Sequence, residues 1–322
     1  MSDQHTCLPR FLLVLLLLVQ LLGYNGVEGT RDLLEREDQE LEKQLKLMNK
    51  PAVKTIKTQY GDIYDCVDFY KQPAFDHPLL KNHSFHFEMK PTSLPKRKRD
   101  QVSSEDKEPI HIGLIGGGCP VGTVPIRRVT KEDLIRERNA SKVMSFADNT
   151  LGAHAGQSHC FNTRCPGFVH VRSDIPLDLV YPQISIPGKA VYEVQLYIDR
   201  DLANGNWWLL VGDDNTQVGF WPKRIFTGLA DMASYAEWGG EVFGPPGTPT
   251  PGMGNSAFPT GDAHYDSYFK NVEIIDGGGQ NIDAYNTEPF TDNMSQYDVF
   301  DHEDTDLRHL VVYGGFPSPP SG

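Results

Sequence analysis

The second half of the chain contains short apolar segments separated by turn residues. From Phe168 onward, segments rich in β-branched and aromatic side chains recur at 190–199, 206–212, 271–277 and 309–315. Glycine, proline, asparagine and aspartate lie between them, a pattern that favours an antiparallel all-β structure, either a sandwich or a barrel. Alternation along a strand places at least one of Trp207 and Trp208 in the core, rather than both on a sugar-stacking surface. The stretch 225–237 is the one helix predicted in this half.

The N-terminus has the features of a secretory signal peptide. Residues 11–22, FLLVLLLLVQLL, form an apolar run that follows Arg10 and is too short to span a bilayer. Small residues near Gly29 suit cleavage, so residues 1–29 are expected to be removed; a membrane anchor is the less favoured alternative. We therefore expect a secreted protein, extracellular in the apoplast or in the vacuole, without a membrane partner after signal removal.

Cysteines and glycosylation sequons fit such a chain. Four cysteines remain once Cys7 leaves with the signal, and an even number in an oxidising compartment favours disulfides. Of the alternative pairings, we favour Cys160–Cys165 and Cys66–Cys119. N-x-S/T sequons give weaker support for glycosylation, at Asn82, Asn139 and Asn293.

Charge divides the chain into two unequal halves. Residues 139–322 hold 9 Lys+Arg and 23 Asp+Glu, a net charge of −14, whereas residues 1–138 hold 21 and 20, a net charge of +1. The acidic second half argues against nucleic acid as a partner, because nucleic acids select basic surfaces.

The first half is predicted to be mixed in structure. Residues 31–49 have the spacing of an amphipathic helix that Pro51 ends. Residues 91–108 are polar and without an apolar period, which predicts an exposed loop. A capping-box pattern at Thr130 predicts a short helix that ends near Arg138.

No cofactor and no metal site is predicted. The glycine-rich stretch 110–119 lacks the G-K-[ST] of a phosphate loop. The cluster DHEDTDLRH, residues 301–309, lacks the ligand positions of a calcium loop and is interpreted as a solvated acidic turn. A zinc site is less favoured than a disulfide in a secreted chain, although the required residue types occur at His159, Cys160 and Cys165.

Several longer strings resemble the neprosin family. The neprosin activation peptide is similar to KQPAFDHPLLKNH (71–83) and GCPVGTVPIRRVTKEDL (118–134). The neprosin catalytic domain is similar to HCFNTRCPGFVHV (159–171), GNWWLLVG (205–212), VGFWPKRIF (218–226), EWGGEV (237–242) and SYFKNVEIID (267–276). These strings cover most of the chain after the signal and follow the order of the family.

The resemblance implies a plant secreted zymogen of a glutamic endopeptidase that is acid-active and cuts next to proline. It implies a signal peptide at 1–29, an activation peptide at 30–138 and a catalytic domain at 139–322. The family uses two glutamates on one β-sandwich, and the glutamate of the WGGEV string corresponds here to Glu241. The implied partners are proline-containing peptide or protein substrates and the chain's own activation peptide.

The sequence departs from the family where the other glutamate is expected. That glutamate lies upstream of the cysteine pair, but residues 139–158 contain no glutamate. We therefore expect an all-β antiparallel sandwich, truncated, preceded by a small mixed α/β activation segment, with impaired or no peptidase activity. Remaining candidates for a second catalytic group are Asp148, His154 and His159.

Two alternatives to an impaired peptidase remain open. One is a non-catalytic secreted binding or regulatory protein, and the other is an incomplete gene model.

A further departure lies near the C-terminus. Gln296 precedes Tyr297 where the family usually has a cysteine, so a disulfide that closes the family's last strands is not expected.

Overall fold

The structure is a computed structural model that describes residues 35–94, 110–136, 138, 165–242, 244 and 248–318. Several predictions lie outside the described residues: the signal peptide, the connector 139–158 with its candidate groups, and the residues His159, Cys160 and Asn139. No helix in the described part is long and apolar enough to cross a membrane.

The described residues form two α-helices, short 3-10 helices and twelve β-strands. The α-helices are α1 at 35–48 and α2 at 131–136. The 3-10 helices are Phe69–Lys71, Pro73–Asp76, Pro78–Leu80 and Lys223–Ile225. The first six strands are β1 (Ala52–Lys57), β2 (Ile63–Asp68), β3 (Thr123–Arg127), β4 (Val169–His170), β5 (Leu196–Arg200) and β6 (Trp207–Val211). The last six are β7 (Thr216–Trp221), β8 (Ser267–Phe269), β9 (Glu273–Ile275), β10 (Asn281–Asp283), β11 (Tyr297–Asp304) and β12 (Arg308–Gly315).

Helix α1 and residues 129–134 form one compact unit, distinct from the rest of the chain. The side chain of Asn49 donates to the carbonyl of Val129 and accepts from its N–H, both at 2.9 Å. Helix α2 begins at the predicted capping box: the N–H of Asp133 donates to the hydroxyl of Thr130, and the carboxylate of Asp133 accepts from the N–H of Thr130. The helices predicted at 31–49 and after Thr130 are therefore confirmed.

The second unit begins with an antiparallel sheet in the order β1-β2-β3. We call residues 50–94 and 110–128 the β1–β3 segment. A disulfide joins Cys66 of β2 to Cys119, with 5.3 Å between their Cα atoms, which is the pairing favoured by the sequence. Cys165 is also disulfide-bonded. Buried Asp65 accepts a bidentate pair of hydrogen bonds from Arg128 at 2.7 and 2.6 Å.

A second antiparallel sheet, in the order β4-β7-β6-β5, shares its core with the β1–β3 segment. One face of this sheet contributes Trp208, Leu210 and Phe220, which are almost fully buried. The β1–β3 segment contributes the other half of the same cluster, including Val67, Phe69, Leu80 and Val124. The expectation that at least one tryptophan of the pair lies in the core is confirmed, because Trp208 does.

The remaining strands form a sheet in the order β11-β12-β8 and the β9–β10 hairpin. They have a hydrophobic cluster of their own, built on Val272, Ala284 and Val311, with Trp238 packed against it. The described residues are thus mostly antiparallel β-structure with few helices, and the N-terminal region is a small α/β segment. The predicted fold class is confirmed.

One local prediction is wrong, and another is too broad, because its turn is confined to residues 305–307. The helix predicted at 225–237 is a 3-10 turn followed by irregular chain. Its apolar side chains do not form a buried stripe, since Met232 and Tyr235 are exposed, and helices depend on such burial for most of their stability. The acidic turn predicted at 301–309 lies largely in the β11–β12 hairpin, where cross-strand pairing with β12 extends β11 to Asp304.

Candidate active-site cleft

An open cleft of about 3890 Å³ separates the β4-β7-β6-β5 sheet from the β11-β12-β8 sheet. Strands β5 and β6 line one side, and β8, β9 and β12 line the other. Glu241 lies in this cleft. Of the described β1–β3 segment, only Ile110 and Ile112 line it, so that segment covers the opposite face of the four-stranded sheet.

The chain around Glu241 is held against β12 by a close backbone approach. A Cβ atom at Gly240 would lie 2.8 Å from Cε2 of Tyr313 and 2.9 Å from Sδ of Met253, so only glycine fits without displacement. At Gly239 a Cβ atom would meet nothing within 4 Å. Trp238 anchors the segment in the hydrophobic cluster below, and Glu241 is left exposed to the cleft.

The described residues provide no partner for the Glu241 carboxylate. Within the described part of the chain, no hydrogen bond or ion pair reaches it. Carboxylate chemistry on a peptide bond needs two roles, a base that activates water and an acid that protonates the leaving group or stabilises the oxyanion. One exposed glutamate supplies one of these roles.

A second carboxylate of the cleft, Glu193, was not singled out from the sequence. It precedes β5, accepts a hydrogen bond from the Tyr268 hydroxyl and pairs with Nζ of Lys270 at 2.7 Å. Burial and the bond to Glu193 raise the pKa of Tyr268 far above its ordinary value. Because Tyr268 and Lys270 belong to the β8 region, this cluster links the two sides of the cleft. A charged residue inside the apolar run 190–199 was the available signal.

The β1–β3 segment is fixed to the edge of the four-stranded sheet by a side chain. The amide of Gln72 accepts from the N–H of His170 at 2.7 Å and donates to its carbonyl at 3.1 Å. It therefore takes the place of a neighbouring strand beside β4. At the far end of the sheet, the buried carboxylate of Asp201 accepts from the N–H groups of Thr92 and Ser93 at 2.7 and 3.1 Å.

The predicted glycosylation sites differ in their surroundings. Asn82 is exposed in a turn. Asn293 is also exposed, although its side-chain nitrogen donates to Oε1 of Gln296 at 3.2 Å. These positions are compatible with attachment of a glycan, and glycosylation stays a prediction.

Among the described residues, no group of three or more histidine, cysteine, aspartate and glutamate side chains is placed to hold a metal ion. Within the former candidate cluster at 301–309, Nε2 of buried His309 lies 2.7 Å from Oδ1 of Asp301. Its Nδ1 lies 2.9 Å from the carbonyl of Ala284. Both ring nitrogens are thus within hydrogen-bonding distance of other segments of the same chain, and these contacts hold β12 in place.

Two protein-family models match this chain. The model described as Neprosin matches residues 138–316, and the model described as Neprosin activation peptide matches residues 55–162. The first match covers more than half of the chain and includes all cleft-lining residues except Ile110 and Ile112, with Glu241 among them. The second begins inside β1 and includes the rest of the β1–β3 segment.

Proposed function

Because the chain belongs to the neprosin family of protease zymogens, we propose that it is a secreted glutamic-endopeptidase homologue whose catalysis is impaired. The observation that carries this proposal is that, among the described residues, no hydrogen bond or ion pair reaches the Glu241 carboxylate, although other carboxylates line the cleft. A carboxylate pair can divide its pKa values so that one group is an acid and the other a base. A carboxylate that is not hydrogen-bonded to a second one does not divide the two roles in this way. Loss of one general acid or base costs about 10²- to 10⁴-fold in rate.

The proposal assigns Glu241 the role of the retained catalytic glutamate. Residues 1–29 would be the signal, 30–138 the activation peptide and 139–322 the shortened catalytic domain of a plant protein of the apoplast or vacuole. By the family resemblance, the substrates of this site would be proline-containing peptides cut at acid pH, and the impairment is expected to hold such cleavage at the level of Glu241→Gln. The exposed position of Glu241 on a large cleft supports access by an extended peptide.

Self-processing tests this proposal on the intact protein. We expect the secreted chain, held at acid pH and analysed by gel electrophoresis with N-terminal sequencing, to keep its activation peptide. A zymogen without a competent catalytic pair cannot cut itself. Release of residues 30 to about 138 by the purified protein, at a rate that does not fall in Glu241→Gln, would point to another catalytic group; release that stops in Glu241→Gln would show a working enzyme.

A second candidate is a non-catalytic binding protein that keeps its β1–β3 segment permanently. The shared core favours it, because separation would expose Trp208, Leu210 and Phe220 together. Each such side chain contributes about 1.5–3 kcal/mol when fully buried. After a single cut by an added protease between residues 139 and 158, we expect the two pieces to co-elute in size exclusion at neutral pH. Separate elution would contradict permanent retention.

A further inference from the structure

Strand β5 presents an unpaired edge to the cleft. It pairs only with β6 among the described residues, because it is the outermost strand of its sheet. The N–H of Gly212 donates to the carbonyl of Gln195, and the N–H of Asp201 donates to the carbonyl of Asn206. In an antiparallel pair these bonds alternate along the strand. The N–H and C=O groups of residues 196, 198 and 200 therefore point away from β6, toward the open edge.

The same strand also presents apolar side chains to the cleft. Leu196 is 57% exposed and Ile198 is 59% exposed, whereas Tyr197 between them packs against the core shared with the β1–β3 segment. An edge with free backbone groups and exposed apolar side chains can accept an additional strand.

The charge of the cleft selects among the segments that could bind there. Thirteen aspartates and glutamates line it, against three lysines and arginines. Each of these three cations already has a carboxylate partner: Arg172 pairs with Asp174, Arg200 with Asp231, and Lys270 with Glu193. The excess of negative charge is therefore not neutralised by the cleft's own side chains.

Some of the exposed carboxylates of the cleft lie close to aromatic residues. Tyr235 is hydrogen-bonded to Glu237 and lies close enough to Glu288 to interact with its charge. Tyr285 and Phe290, which flank Glu288 in the sequence, are 64% and 76% exposed. No described lysine or arginine pairs with Glu237, Glu241 or Glu288. Carboxylates next to aromatic faces suit lysine and arginine side chains, through ion pairs and cation–π contacts.

We propose that the cleft binds an extended, basic peptide segment, which adds as a strand to the open edge of β5 and places lysine or arginine side chains against Glu237 and Glu288. Apolar residues of the same segment would contact Leu196 and Ile198. The inference rests on the proposed function, because it takes the cleft as a peptide-binding site, and it adds the charge class of the peptide. The net charge opposes acidic peptides and nucleic acids.

Binding is measured without relying on hydrolysis. The probe is a fluorescently labelled peptide of about ten residues with alternating lysine and valine around a central proline, a length that matches a docked strand. Its counterpart has glutamate in place of lysine. By fluorescence anisotropy at neutral pH and low salt, we expect the full secreted chain to bind the basic peptide and not the acidic one. Added salt should weaken binding, because exposed charge pairs are screened.

Variants locate the site. Glu237→Gln and Glu288→Gln should each weaken binding by about two- to fivefold. The matched control is Glu303→Gln, which removes an exposed glutamate of β11 outside the cleft and should leave binding unchanged. Ile198→Pro removes an N–H that points to the open edge and spares the bonds to β6, so it should weaken binding strongly. Ile198→Lys should also weaken binding of the basic peptide, because the added lysine repels it. This variant replaces Ile198→Pro as the test if the proline variant does not fold.

Equal affinity for the basic and acidic peptides would overturn this inference, as would binding that Glu303→Gln weakens as much as Glu237→Gln does. Failure of the proposed function looks different. Acid-dependent cleavage that Glu241→Gln abolishes would contradict the proposed impairment, and it would leave the charge preference measured by anisotropy standing.

Discussion

The side chain of Gln72 makes the hydrogen bonds to β4 that a neighbouring strand would otherwise make. Its amide satisfies both backbone groups of His170 at the edge of the four-stranded sheet and is itself almost fully buried. This contact joins residues far apart in the sequence, and no local pattern around Gln72 reveals it. A glutamine between an aromatic-rich stretch and Pro73 is unremarkable in the sequence, since the partner is a backbone segment rather than a complementary side chain.

Gln72→Ala should lower the free energy of unfolding by about 2 kcal/mol, because it leaves a buried N–H and a buried carbonyl without partners. Chemical unfolding followed by tryptophan fluorescence measures this change. Gln59→Ala, at an exposed turn position, is the control and should stay within about 0.5 kcal/mol of the parent. Equal stabilities of the two variants would show that Gln72 does not hold the edge of β4.

His170 should make stability depend on acid. Burial lowers the pKa of its fully buried imidazole to about 4, from an ordinary value of 6.5. Below pH 6.5 the unfolded chain binds a proton that the folded chain does not, so stability is fully present above that pH and falls as the pH drops toward 4. We expect His170→Phe to flatten this part of the pH profile of thermal unfolding. An unchanged slope between pH 6.5 and 4 would contradict the assignment.

At the scale of elements, the sequence predicts those segments whose burial follows a local period. Strand β6 lies within the predicted stretch 206–212, and β12 coincides with 309–315 except for its first residue, Arg308. Both strands are recognisable because most of their side chains are apolar and at least half-buried by the sheets. The stretch 225–237 has helix-forming residues but no partner surface to bury an apolar stripe, and a local pattern cannot show that absence. The shared core between the β1–β3 segment and the four-stranded sheet could not be predicted either, since it depends on which faces meet.

The candidate site was predictable only in part. The WGGEV string located Glu241 through the family resemblance, and its two glycines are a residue type that permits a close approach of the backbone to other groups. The structure assigns that approach to Gly240 alone, where β12 and Met253 come near. The cluster of Glu193, Tyr268 and Lys270 was missed, because its members come from two different elements that meet only at the cleft.

Gly240→Ala should move the chain that presents Glu241, since its Cβ would contact Tyr313 and Met253 inside normal van der Waals distance. We expect a lower melting temperature and a change in the fluorescence of Trp238. This residue lies two positions before Gly240 and packs in the hydrophobic cluster of Val272, Ala284 and Val311. Gly239→Ala is the matched control, with open space around its Cβ, and should behave as the parent does. Indistinguishable melting curves for the two variants would contradict the close approach.

For the whole molecule, the two family matches, to the activation peptide and to the Neprosin model, overlap and together cover most of the chain. The β1–β3 segment, tied by the Cys66–Cys119 disulfide, supplies half of a hydrophobic core rather than a cover over Glu241. The cleft that contains Glu241 is open and acidic, with separate hydrophobic clusters on its two sides. These features agree with the proposed loss of catalysis and with the proposed binding of a peptide in the cleft.

Removal of the Cys66–Cys119 disulfide tests whether the β1–β3 segment and the four-stranded sheet unfold together. Replacement of Cys66 and Cys119 by serine should cost about 2–5 kcal/mol of stability, because the bond closes a long loop within the β1–β3 segment. Equilibrium unfolding in guanidinium, compared with the parent under oxidising conditions, measures the loss. Since this segment completes the core around Trp208, the fluorescence of that residue should change in the same transition. Two separate transitions would contradict a shared core.

Hydrolysis by the folded, secreted chain is the most direct test of whether its peptidase activity is impaired. A quenched fluorescent peptide that contains proline is incubated at acid and at neutral pH with the parent, with Glu241→Gln and with the control Glu303→Gln. We expect no cleavage by the parent above the level of Glu241→Gln at either pH. Acid-dependent cleavage by the parent and by Glu303→Gln, lost in Glu241→Gln, would contradict this expectation and would show that Glu241 has a catalytic partner in this chain.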